Sequence, residues 1–205
     1  MEFVQVNGIC IHYKWINNKK GKTFLFINSL GTDFRIWDEV AEVLKEYGNI
    51  LLFDKRGHGL SDFAADTDGL NDFAADVLAL IEKFPIKKCI PIGLSVGGMI
   101  AQIIASEKPE IIDRLILCDT PHKIGNAQIW NDRIAVVKEK GLAAIADGVM
   151  QRWFSEKFRK DETVKVSGYK NMLERTQPLG YIKTCEAIRD ADLTAIAQQI
   201  KIPTL

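Results

Sequence analysis

The pentapeptide Gly93-Leu94-Ser95-Val96-Gly97 has the form G-x-S-x-G, in which flanking glycines let a serine occupy a sharp turn with its hydroxyl projecting. An apolar run from Cys89 to Ile92 precedes it and a helix-like run from Met99 to Ala105 follows. A serine at such a strand-to-helix turn is a nucleophile for acyl chemistry. At average glycine and serine usage a chain of this length shows the pattern by chance on the order of 0.07 times, so chance is disfavoured. A phosphate-binding turn would carry G-x-G-x-x-G or a terminal Gly-Lys-Ser, and neither is present.

A serine attacking a carbonyl needs hydrogen-bond donors for the oxyanion that forms. The Val96 amide, directly after the nucleophile, supplies one. The second is expected from the loop after the apolar run Thr23 to Ile27, which reads Asn28-Ser29-Leu30-Gly31-Thr32, and the Leu30 amide is assigned to it. A general base is harder to place. His12 falls on an opening hairpin, at an expected half-exposed strand position. His58 sits in Arg56-Gly57-His58-Gly59, and His122 follows a later strand. Asp119 ends that strand, from which a carboxylate can orient an imidazole or cap the loop into Thr120-Pro121.

The elements that must carry these residues alternate. Asn7-Gly8 between apolar runs marks a hairpin, and Thr23 to Ile27 reads as a buried strand. Trp37, Val40, Ala41, Leu44 and Tyr47 recur at helical spacing, and Ile50 to Phe53 is apolar again. A stripe from Leu70 to Ile81, a strand at Cys89 to Ile92, a helix from Met99 and a strand at Leu115 to Leu117 continue the series. Strand and helix in alternation predict an α/β fold with a mostly parallel sheet covered on both faces. From Gly125 to about Ile188 helical spacings dominate, and such an insertion would lie over the carboxyl ends of the strands. The expected organisation is a core at 1–124, a helical lid at 125–188 and a return to the core at 189–205, where Lys201 to Leu205 begins another strand.

The chain of 205 residues is 47% hydrophobic and 26% charged, with 27 basic and 27 acidic residues. This is a globular composition, and a zero formal charge provides no field to hold nucleic acid or an anionic membrane. The uncharged stretch Cys89 to Ser106 approaches membrane-spanning length, but Pro91, Gly93, Ser95, Gly97, Gly98 and Gln102 interrupt it. Met1 to Trp15 lacks the layout of a signal peptide. The four cysteines, with no C-x-x-C pair, read as reduced thiols of a cytoplasmic protein with no metal framework.

Five segments, Asn28 to Asp33, Asp54 to Ser61, Gly93 to Met99, Arg152-Trp153-Phe154 and Gly180-Tyr181 through Ala187 to Leu193, resemble the 3-oxoadipate enol-lactonase family of α/β-hydrolases. The similarity runs from Phe3 to Leu205, with Val96 where that family usually has methionine and Asp119 where it usually has asparagine. It implies hydrolysis of 3-oxoadipate enol-lactone to 3-oxoadipate in aromatic catabolism, a small-molecule lactone or ester substrate met by Ser95 and the Leu30 and Val96 amides, with no metal or organic cofactor. Oligomeric state is left open. The lactone carries a carboxylate, for which Arg133 and Arg152, beside Trp153, are the best-placed cations on the expected lid. The family's triad order is serine, acid, histidine, the last two beyond the strand starting near Lys201. On that resemblance the chain is C-terminally incomplete, and its 205 residues alone are expected to be nearly inactive and poorly stable, with an open sheet edge at Leu115 to Leu117. Two other readings remain: a related carboxylesterase, and a hydrolase-like chain that binds a ligand without turnover.

Overall fold

The structure is a computed structural model describing residues 1–19 and 21–205. Asn7 and Gly8 both take positive φ, 46° and 79°, as the tight turn between antiparallel strands requires. They join β1 (Glu2–Val6) to β2 (Ile9–Ile16). Strands β3 (Thr23–Ile27), β4 (Asn49–Phe53), β5 (Ile90–Leu94) and β6 (Ile116–Cys118) complete one sheet in the order β1-β2-β4-β3-β5-β6. The β2–β4 pairing is antiparallel, and β4-β3-β5-β6 run parallel.

Side-chain alternation builds two cores. Leu25 and Ile27 of β3, with Leu51 and Phe53 of β4, face the helices α2 (Leu70–Ile81) and α3 (Val96–Glu107). Phe24, Phe26, Ile50 and Leu52 point the other way, onto Phe34, Trp37 and Ala41 around α1 (Asp38–Leu44). Every residue of β3 and β4 is buried, as expected of central strands covered on both faces. The helical stripe expected at Trp37 to Tyr47 is narrower in the structure. Trp37 and Ala41 are buried, whereas Val40 and Tyr47 are exposed, because a short 3₁₀ turn at Phe34–Trp37 precedes α1 and shifts which side faces inward.

The uncharged stretch at Cys89 to Ser106 divides into β5, a turn and α3. No helix among the described residues is long and apolar enough to cross a membrane. Five helices lie between β6 and the last helix: α4 (Ala127–Lys140), α5 (Ala143–Trp153), α6 (Glu156–Asp161), α7 (Thr163–Glu174) and α8 (Pro178–Asp190). They pack chiefly α4 on α8 and α5 on α7. After α9 (Thr194–Gln199) the chain returns to the sheet. There the Leu115 and Leu117 amides donate to Pro203 and Leu205 carbonyls at 3.0 and 2.8 Å, and Leu205 donates back to Leu115 at 3.0 Å. The edge expected to be open at Leu115 to Leu117 is therefore covered by the chain's own last residues.

Candidate active site

Ser95 stands between the end of β5 and the start of α3 at φ 55°, ψ −120°, a region that disfavours an L residue and is retained only where the surroundings enforce it. The enforcement is visible. The Ser95 amide donates to the Cys118 carbonyl at 2.9 Å, and the Ser95 carbonyl accepts from the Thr120 hydroxyl at 2.7 Å. Glycine is obligatory on both sides. A Cβ at Gly93 would lie 2.6 Å from Cα of Gly98, and one at Gly97 would collide with the Ile27 carbonyl oxygen.

The same close approach brings the second loop to the first. Ile27 pairs with Gly93 in the parallel register, so residues 28–32 leave the sheet beside the turn at 94–96. Val96 is the first residue of α3, and its N–H belongs to the donors a helix start leaves unpaired. The Leu30 amide donates to no protein acceptor among the described residues. The two backbone donors expected from sequence thus lie on adjoining loops at one end of the sheet, next to Ser95, which is itself only partly buried.

The turn after β4 holds the Leu30 loop by three side chains. Asp54 accepts from the Phe34 and Leu60 amides at 2.8 and 3.0 Å and meets His12 Nδ1 at 2.8 Å. Burial pushes its carboxyl upward against those donors. The buried Lys55 ammonium donates to the Ser29 carbonyl at 2.5 Å, and burial moves its pKa well below the usual lysine range. His58 accepts from the Gly31 amide at Nε2 (3.0 Å), with Nδ1 3.1 Å from the Arg56 carbonyl. That pairing requires a neutral ring protonated on Nδ1, in keeping with a pKa driven well below 6.5 by burial and then by Lys55.

Each histidine can now be placed. Both ring nitrogens of His58 are occupied. His12 is buried rather than half-exposed, because its ring lies over Phe34 at a centroid distance of 4.9 Å while it pairs with Asp54. Its strand is separated from β5 by β4 and β3, roughly 14 Å at ordinary strand spacing. His122 is exposed beyond β6. No side chain among the described residues hydrogen-bonds the Ser95 hydroxyl. Asp119, at φ 44°, is exposed and makes no capping bond into Thr120-Pro121.

On the helices, Arg133 is half-buried with its guanidinium 5.1 Å from the Trp130 ring centre. Arg152 is exposed, yet partial desolvation and Arg133 lower its pKa, which places the two cations near one another. Neither has a carboxylate partner among the described residues. Burial pushes the Tyr181 hydroxyl up to about 12 against the pull of both arginines, and the Tyr181 ring would lie 3.1 Å from a Cβ at Gly31. Tyr181 therefore joins the arginines to the Leu30 loop. Trp153 is half-buried, and its ring meets Phe154 edge-on at 6.4 Å. Sequence reasoning assigned no role to Lys55 or Tyr181. A lysine inside Asp54-Lys55-Arg56-Gly57, next to a strand that must be buried, was the available signal.

A mostly parallel sheet with a strained serine at a strand-to-helix turn defines a class, and comparison agrees with it. Residues 22–184 match the family model described as the alpha/beta hydrolase fold, and the chain belongs to that family. Among characterised relatives, 3-oxoadipate enol-lactonase 2 of Acinetobacter baylyi is 31% identical over 197 residues, 96% of this chain and 74% of its own length. 3-Oxoadipate enol-lactonase 1 of the same organism is 31% identical over 209 residues, 95% of this chain and 78% of its own length. Among solved structures, the enol-lactonase from Burkholderia xenovorans LB400 superposes with a TM-score of 0.95 at 32% identity, covering 99% of this chain and 79% of that one. The chain is a hydrolase of this fold with enol-lactonase relatives.

Proposed function

We propose that the protein opens 3-oxoadipate enol-lactone to 3-oxoadipate, a carboxylic ester hydrolysis in the β-ketoadipate pathway of aromatic catabolism, in the cytoplasm and without metal or organic cofactor. Ser95 Oγ attacks the lactone carbonyl and the Leu30 and Val96 amides receive the oxyanion. The ring C–O bond then breaks, the enol oxygen takes up a proton, and water releases the acyl group from Ser95. The enol product reverts to its keto form. Helices α4 to α8, spanning most of residues 125–188, act as a lid, with the core at 1–124 and 189–205.

The observation that carries an anionic lactone rather than a neutral ester is the pair Arg133 and Arg152, two cations without carboxylate partners among the described residues that act on the Tyr181 hydroxyl. A buried carboxylate left unpaired is costly, and this pair supplies the countercharge, with Trp153 forming apolar wall. The test is turnover of the enol-lactone against a neutral ester of similar size. Preference for the lactone supports the assignment, and equal or better turnover of the neutral ester assigns a carboxylesterase of other specificity.

One observation favours a second reading, ligand binding without turnover: no imidazole among the described residues serves Ser95. In the lactonase reading the base is none of His12, His58 or His122, since His58 has both ring nitrogens occupied, His12 pairs with Asp54 and His122 is exposed beyond β6. Tight lactone binding with no acyl-enzyme would decide for the second reading.

A further inference from the structure

Lys55 is 2% exposed, and a lysine is almost never so buried without a specific partner. Its hydrogen-bond partner among the described residues is the Ser29 carbonyl, at 2.5 Å. The same oxygen accepts from the Thr32 hydroxyl at 2.9 Å and more distantly from the Thr32 amide at 3.4 Å. That carbonyl and the Leu30 N–H belong to one peptide unit. The unit is trans and planar, so its C=O and N–H point in opposite directions. Holding the oxygen toward Lys55 therefore aims the Leu30 N–H the other way. Released, the unit could turn over and present a carbonyl oxygen where an oxyanion must sit.

We infer that Lys55, seconded by the Thr32 hydroxyl, is a positioning residue that clamps the Ser29 carbonyl and so fixes the Leu30 amide as an oxyanion donor. The inference rests on the reading of Ser95 and Leu30 under Proposed function. Donation to the carbonyl also polarises the peptide and strengthens its N–H as a donor. Gly31, the next residue, is held by His58, so two successive peptide units of the loop are oriented by side chains from the turn after β4. Lys55 makes no contact with the reacting atoms in this role.

The test uses a fluorophosphonate, whose phosphoryl oxygen takes the place of the oxyanion. Ser95 Oγ forms the bond to phosphorus, fluoride departs with the P–F electron pair, and the serine proton passes to solvent. Lys55→Met, which keeps the apolar stem and removes the donor, should lower the limiting rate of Ser95 labelling on the order of tenfold or more. The probe concentration at half-saturation should be unchanged. Thr32→Val should lower the same rate by less. In the labelled protein the Leu30 amide proton, shifted downfield by the phosphoryl oxygen, should move back upfield in Lys55→Met, a change that looser packing alone does not require. An unchanged limiting rate in a folded Lys55→Met overturns the inference while leaving Ser95 as nucleophile. If Lys55→Met does not fold, Thr32→Val decides, a fall supporting the clamp and an unchanged rate overturning it. A wild-type protein in which Ser95 takes no label overturns the hydrolase reading and this inference with it.

Discussion

The amide of Gly31 donates to Nε2 of His58 at 3.0 Å, which commits a fully buried imidazole to the neutral state with its proton on Nδ1. The sign of the resulting pH dependence follows. The native pKa lies well below 6.5, while the unfolded chain titrates near 6.5. Below about pH 6.5 the unfolded state therefore binds a proton that the native state refuses, and stability falls as pH falls. The contribution is complete above that pH. The melting temperature should drop between about pH 7.5 and 5.5, with His58 supplying a slope approaching 1.4 kcal/mol per unit. His58→Gln, which keeps an acceptor for Gly31, should flatten the profile, and an unaltered slope would contradict the assignment.

The buried Arg56 guanidinium makes two bonds to Asp76, at 2.6 and 2.8 Å, and one to Thr67 at 3.0 Å. Removing one partner leaves an uncompensated buried charge. Asp76→Ala should cost about 3–5 kcal/mol, lowering the melting temperature by on the order of 10 °C. A change of only a degree or two in a thermal scan would show that the pair is solvated in solution.

Gly97→Ala should fail at the site rather than merely loosen it, because the new methyl would run into the Ile27 carbonyl oxygen at the end of β3. Separating β3 from α3 separates the Leu30 and Val96 amides. Turnover should fall by at least the 10² to 10³ that one lost oxyanion donor costs. A variant of normal activity would show that the two loops need not touch.

Arg133→Met and Arg152→Met should raise KM for the anionic lactone about tenfold or more while leaving a neutral ester near wild type, since a charge-assisted hydrogen bond is worth about 1.5–3 kcal/mol. Steady-state kinetics on both substrates measure the difference. Equal effects on the two would remove the arginines from carboxylate recognition.

Much of this arrangement is local in sequence and was legible there. The Asn7-Gly8 turn, the apolar strands β3 to β5 and the G-x-S-x-G turn each lie within a few consecutive residues, and their conformations follow from glycine placement and burial. What was not legible is pairing at a distance. His12 reads as a half-exposed strand residue until Asp54, 42 positions on, closes over it. Lys55 reads as a charged loop residue until the Ser29 carbonyl, 26 positions back, becomes its partner. Tyr181 gains meaning only when α8 lays it beside Gly31, a contact allowed by the bare backbone approach of Gly180 to Gly57. Val40 and Tyr47 fit a helical stripe yet face water, because periodicity alone cannot register where a 3₁₀ turn ends and a helix begins.

The central claim is that the strained serine between β5 and α3 is the nucleophile. The most direct measurement is to treat the protein with a fluorophosphonate, digest it and map the adduct by mass spectrometry. A single phosphonyl adduct on Ser95, lost in Ser95→Ala, is the expected result, its formation slow where no imidazole deprotonates the hydroxyl. An adduct on another serine with Ser95 unmodified would contradict the account.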